Sequence, residues 1–168
     1  MPPTVRRCLC LLALALLVLS CSQASVRHMK RQPWRINETQ TLDMKFWSFR
    51  YESIALRDKL GLKGTAWPVM KILPPWATRI EELWIAAYLS DSLGRVLAKD
   101  VHVLLPRDLD QHNGIPFKFI LEPQDIGSSE QLFVTFGYRM TLSDGKSGTS
   151  QAGNPNVFFA NEGAVLQF

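Results

Sequence analysis

The chain has 168 residues and a formal net charge of +4 at pH 7. Its only cysteines are Cys8, Cys10 and Cys21, so everything after Cys21 must fold without a disulfide, which excludes a disulfide-stapled secreted domain. The modest charge and the lack of a glycine-rich phosphate loop remove the usual routes to nucleic-acid binding, and we expect no nucleic-acid partner.

The first residues of the chain have the layout of a leader. Arg6 and Arg7 precede an apolar run from Cys8 to Leu19, which is followed by small and polar residues. A membrane-spanning helix needs about 20 apolar residues, and this run is little more than half as long. The layout therefore predicts a secretory signal peptide over residues 1–20.

The end of this run offers two cleavage sites. Val18-Leu19-Ser20-Cys21 resembles the lipobox of bacterial lipoproteins, and the resemblance implies cleavage before Cys21 and acylation of that cysteine. Under the same resemblance, Ser22 favours the periplasmic side of the outer membrane. Ser22-Gln23-Ala24 matches instead the small-x-small site of ordinary signal peptidase, whose use would discard Cys21 and release a freely secreted protein.

Residues 21–36 are predicted to be a lipidated cysteine followed by a basic tether. Arg27, Lys30, Arg31 and Arg35 concentrate positive charge in this segment. Next to a lipid, each basic residue near an anionic surface contributes on the order of 1 kcal/mol to membrane binding. A solvated tether that contacts no lipid accounts for the same residues.

Residues 37–168 are predicted to form one all-β domain, because short alternating runs recur between turn residues. In the run Met44–Ser53, Trp47, Phe49 and Tyr51 share one face. The segment from Trp67 to Trp76 is expected to be a proline-rich loop, and Thr78–Glu82 a brief helical turn. The predicted strands are Met44–Ser53, Leu60–Ala66, Leu83–Leu89, Arg95–Leu105, Ile115–Glu122, Gln131–Leu142 and Asn156–Ala160, with a tail at Ala164–Phe168.

About seven short strands suit an immunoglobulin-like antiparallel β-sandwich. The stretches AAYLSDSLGRVLAKD, IPFKFIL and FVTFGYRM, between Leu83 and Met140, resemble the small immunoglobulin-like or fibronectin-III-like modules of bacterial lipoproteins, including those that accompany FxLyD-type domains. The resemblance implies a β-sandwich in the cell envelope. It implies no activity.

The chain lacks the usual catalytic patterns. No free thiol survives maturation, and no Gly-x-Ser-x-Gly pentapeptide is present. Asp100 and His102 share a strand face, for which a solvated surface is the simpler interpretation. The run from Asp108 to Gly114 begins like a calcium loop, but Phe119 stands where that loop needs glutamate, so we expect an Asx-rich turn. No enzyme activity, cofactor or metal is predicted.

A binding surface is predicted at Trp67, Pro74, Pro75 and Trp76, together with whichever of Trp84 and Tyr88 faces outward. Aromatic side chains next to prolines suit partner recognition, although they could equally close one end of the sandwich. The sequence thus favours a non-enzymatic, lipid-anchored adaptor that binds another envelope protein. The alternative is a small-ligand or glycan-binding domain that uses the aromatic and proline loop.

Overall fold

The computed structural model describes residues 23–57, 59–123, 131–145 and 156–167. These residues form twelve strands and one short 3-10 helix, Met70–Ile72, and they contain no α-helix. The strands are β1 (Gln23–Ser25), β2 (Gln32–Pro33), β3 (Thr39–Asp43), β4 (Trp47–Leu56), β5 (Lys59–Pro68), β6 (Arg79–Ser90), β7 (Val96–Leu104), β8 (Arg107–Asp108), β9 (Ile115–Leu121), β10 (Phe133–Ser143), β11 (Val157–Glu162) and β12 (Val165–Gln167).

Ten of these strands build two antiparallel sheets. Sheet I has the order β3-β4-β5-β9, and sheet II has the order β11-β10-β6-β7, with β2 added to β10 and β8 added to β6. The predicted all-β sandwich is confirmed.

The core lies between the sheets and is rich in aromatic rings. Trp47, Phe49 and Tyr51 of β4 all point inward and are at most 1% exposed, as their spacing predicts. Phe49 stacks on Phe136 of β10, with ring centroids 4.5 Å apart and an interplanar angle of 10°. The indole N–H of Trp47 donates to the sulfur of Met140 across the same gap, at 3.3 Å.

Two local predictions are wrong. No helical turn forms over Thr78–Glu82, because β6 already begins at Arg79, where β8 and the end of β10 both pair with it. Trp67 and Pro68 belong to β5 and not to a loop, since Pro68 pairs with Trp47 at the end of the strand. A terminal position is one of the few in a sheet where the missing amide of proline is tolerated.

The predicted tether is also corrected, because the chain is folded from Gln23 onward. Strand β1 pairs with β12 and β2 pairs with β10. Val26 is fully buried, its N–H donates to the Gly94 carbonyl at 2.8 Å, and Met29 is 5% exposed. The basic side chains of Arg27 and Lys30 are exposed between these anchors. The domain therefore includes residues 23–36, whereas residues 1–22 with Cys21 lie outside the described part.

The turn between β6 and β7 holds this N-terminal segment in place. Gly94 has a φ of +82°, and an added Cβ there would lie 2.7 Å from the Cα of Arg27. The buried Asp91 carboxylate accepts hydrogen bonds from the backbone and side chain of Arg95. Burial raises the pKa of Asp91, but these hydrogen bonds outweigh it and hold that pKa below its usual value. The turn is therefore fixed by a buried charge with its partner.

We predict that Phe136→Ala destabilises the domain by about 3–5 kcal/mol, because it empties the space where Phe49, Tyr51 and Phe117 meet. Urea unfolding followed by tryptophan fluorescence measures the change. Phe159→Ala is the matched control, since Phe159 is 54% exposed and surface substitutions stay within about 0.5 kcal/mol. Equal losses for both variants would contradict the placement of the core.

Candidate functional site

Sheet II exposes an apolar outer surface. Trp84 and Tyr88 of β6 both face outward, because Leu83 and Ile85 in the opposite phase fill the core. The described residues include thirteen exposed large apolar side chains, and six of them lie on this surface. We call these six the apolar face: Trp84, Val101, Val103, Val157, Phe159 and Val165.

One cation lies in the middle of the apolar face. The guanidinium carbon of Arg139 is 5.5 Å from the ring centroid of Trp84 and 5.7 Å from that of Phe159. Its Nε lies 3.7 Å from Glu82 Oε1. Cations over aromatic faces contribute about 0.5–1 kcal/mol at exposed sites. Arg139 is therefore held between two rings while half of its side chain remains open to solvent.

A cavity of about 380 Å³ opens on this surface, with Trp84, Tyr88, Val101 and Val165 in its walls. The chain that leaves β11 crosses the outer side of β10 at Gly137. A Cβ at Gly137 would lie 2.7 Å from the Glu162 carbonyl oxygen. Burial raises the pKa of Tyr88, and a hydrogen bond with the Ala164 backbone partly offsets the rise. The crossing chain thus supplies one wall of the cavity.

The four residues predicted as a binding loop lie in two different elements. Trp67 is in β5, in the phase opposite to the buried Ala66, so its half-buried side chain is on the outer side of sheet I. Pro74, Pro75 and Trp76 follow the 3-10 helix in the crossover to β6. Pro75 is exposed, whereas Trp76 is half-buried and packs against the core.

Trp67 borders an open groove of about 470 Å³ on the outer side of sheet I. Arg50, Glu52, Lys63 and Thr65 also line the groove, and Lys63 Nζ lies 3.0 Å from Glu52 Oε2. The indole has room because Gly114 lacks a side chain: a Cβ there would lie 2.6 Å from Trp67 Nε1. This surface is polar and charged around a single tryptophan, unlike the apolar face on the opposite sheet.

Asp100 and His102 share a partly solvated strand face, as expected, and this face also contacts the other sheet. Both residues lie in the inward phase of β7, where this edge strand meets β9. The Asp100 carboxylate accepts the N–H of Ile120 at 2.9 Å, and the His102 ring centroid is 4.4 Å from that of Phe119. The pair therefore joins the two sheets along one open seam.

The loop from Asp108 to Gly114 contains the expected Asx turn. Asp110 Oδ1 accepts the backbone N–H groups of His112 at 2.7 Å and Asn113 at 3.3 Å, and Asp110 Oδ2 accepts the amide of Asn113 at 2.7 Å. The His112 backbone donor is the largest influence that lowers the pKa of Asp110. Both oxygens of the Asp110 carboxylate therefore accept hydrogen bonds within the turn.

The apolar face was not predicted from the sequence, because the residue pattern does not show which phase of β7 faces outward. Leu97, Val101, Val103 and Leu105 alternate as a buried strand face would, yet Val103 and Leu105 are 65% and 79% exposed. The polar phase of Asp100 and His102 points inward instead, because it contacts β9. The sequence does show that one phase of β7 is apolar and the other polar. This alternation alone does not reveal which phase faces the core.

The described residues contain no cluster of three or more His, Cys, Asp or Glu side chains that could hold a metal ion. Within the same part of the chain, no helix has the length and hydrophobicity to cross a bilayer. Comparisons of the chain with protein-family models, with curated proteins and with solved structures give no match in any of the three.

We predict that Gly137→Ala destabilises the domain by more than 1 kcal/mol, because the new methyl group meets the rigid Glu162 carbonyl and Tyr88. Gly163→Ala is the matched control: its Cβ would meet only the Tyr88 hydroxyl, at 3.3 Å, a contact that a small side-chain shift relieves. Urea unfolding of both variants measures the difference. A Gly137 variant as stable as the Gly163 variant would contradict the tight crossing.

Proposed function

We propose that this chain is a lipid-anchored, non-enzymatic adaptor of the bacterial cell envelope, and that its β-sandwich binds another envelope protein at the groove beside Trp67. The lipobox-like sequence before Cys21 supports the anchor. Ser22 favours the periplasmic side of the outer membrane. The observation that carries the binding proposal is the half-buried Trp67 among charged and polar side chains on the free side of sheet I.

The groove has the composition of a protein-recognition surface. Tryptophan and arginine are enriched among the residues that dominate binding energy at protein interfaces, and Trp67 and Arg50 both line the groove. The ion pair between Glu52 and Lys63 offers both signs of charge next to the indole. Charges at an interface rim favour the correct partner and speed association.

Three tyrosines of the described residues have raised pKa values, with burial as the main cause. Tyr88 and Tyr138 line the cavity on sheet II, and Tyr51 borders the groove beside Trp67. Burial raises the pKa of Tyr51, which packs against Phe136 in the core. Burial and Glu162 raise the pKa of Tyr138, whose hydroxyl donates to Glu162 at 3.2 Å.

We predict that the mature protein begins at Cys21 and carries acyl chains. Intact mass spectrometry of protein purified from membranes of the native host measures both features. A Cys21→Ser chain is the control, since it has no sulfur to acylate and should remain uncleaved at this site. A mature chain that begins at Ser25 without a fatty acid would contradict the anchor and indicate a freely secreted protein.

We predict that Trp67→Ala abolishes a specific crosslink to one envelope protein. A photoreactive amino acid placed at Lys63, which is exposed beside the groove, should form that crosslink in living cells. Trp84→Ala is the matched control, because it removes the same side chain from the opposite sheet and should leave the crosslink intact.

The same experiment separates the alternatives. Loss of the crosslink with Trp84→Ala but not with Trp67→Ala would move the partner site to sheet II. Absence of a protein crosslink, together with sugar-dependent changes in fluorescence that Trp67→Ala removes, would favour the glycan-binding function. Either result would contradict a protein site beside Trp67.

A further inference from the structure

We infer that the apolar face of sheet II lies against the lipid leaflet that holds the acyl chains of Cys21. The inference rests on the proposed anchor and adds to it a fixed orientation of the domain. It assigns the two outer sides of the sandwich different roles: sheet II contacts lipid, and sheet I with the groove beside Trp67 faces away from the membrane.

The short distance between the anchor and the fold is the first argument. Gln23 already belongs to β1 and pairs with Gln167 of β12. Only Ser22 separates Gln23 from Cys21, and two residues of extended chain span at most about 7 Å. A domain attached this closely cannot stand away from the leaflet, so whichever side carries β1 and β12 must lie near the headgroups.

The side that carries β1 and β12 is the outer side of sheet II. The chain between β11 and β12 crosses β10 at Gly137, and Val165, the first residue of β12, lines the same cavity as Trp84 and Val101. Val165 in turn pairs with Ser25 of β1. The point of attachment and the apolar face therefore lie on one side of the molecule.

The chemistry of the apolar face suits the interface between headgroups and acyl chains. Tryptophan concentrates in that zone of membrane proteins, and Trp84 is 40% exposed beside Phe159 and Val103. Arg139 stands between the two rings, where its guanidinium can meet a lipid phosphate in the planar geometry that arginine favours. Glu82 is near enough to pair with Arg139, so the face is mainly apolar with a balanced charge.

Basic residues follow β1 closely and occur on the outer side of sheet II. Arg27 and Lys30 are exposed directly after β1, and Lys99 is exposed in the outward phase of β7. Basic residues next to an anionic leaflet each contribute on the order of 1 kcal/mol. One acyl chain alone gives marginal membrane binding, so an apolar face and a basic rim reinforce whatever lipid Cys21 carries.

A thiol-protection experiment tests this orientation. The mature chain has no cysteine after Cys21, so an introduced cysteine is its only free thiol. Two full chains are expressed and processed, Val103→Cys on the apolar face and Lys63→Cys on sheet I. Each purified lipidated protein is reconstituted into vesicles of phosphatidylethanolamine and phosphatidylglycerol, floated on a density gradient and treated with a membrane-impermeant maleimide before and after addition of detergent.

We expect most of the Val103→Cys thiol to remain unreacted in floated vesicles and to react once detergent is added. The Lys63→Cys thiol of outward-facing molecules should react fully before detergent, which provides the matched control. Both substituted residues are exposed side chains, so neither variant disturbs the core.

The other possible outcomes distinguish a failure of the anchor from a failure of the orientation. Protein that does not float shows that the anchor has failed, and the orientation fails with it. If both variants float but their thiols react equally before detergent is added, the anchor is supported and the orientation is wrong. Protection of the Val103→Cys thiol that appears only when envelope proteins are added overturns it too, because the apolar face would then be a protein interface.

Discussion

The contact between Phe49 and Phe136 connects the two sheets, and the rest of the sandwich depends on it. The rings stack 4.5 Å apart, and Phe117 and Phe119 pack around Phe136. Because no cysteine follows Cys21, cohesion between the sheets must come from apolar burial. Aromatic side chains supply it efficiently, since each buries about 150–250 Å² with few rotamers to lose.

The edges of the sandwich are closed by polar groups that serve the fold. Asp100 accepts the N–H of Ile120 between β7 and β9. At another edge, Glu162 accepts the Tyr138 hydroxyl and the N–H of Lys45. Unpaired strand edges invite aggregation, and these carboxylates occupy donors that would otherwise remain open. Asp100 and Glu162 thus connect separate strands of the fold.

The long strands could be predicted from the sequence and the short ones could not, for a physical reason. Strand β9 alternates cleanly because one side is buried and the other wet, so its period is visible. Strands β1 and β2 have three and two residues, too few to show a period, and the basic residues around them suggested a tether. Trp84 and Val103 face outward because the other phase of β6 and β7 packs against sheet I. Only the packing of the two sheets determines which phase that is.

The pairing of β1 with β12 also affects how the domain assembles. Gln23 and Gln167 are neighbours in space although nearly the whole folded chain separates them, and contacts of such long separation form late because loop closure must precede them. Strand β1 therefore cannot find its partner until β12 has been synthesised. Until then Gln23 and Ala24 lack the strand they pair with, and a chain that ends before β12 would leave the edge of β1 open.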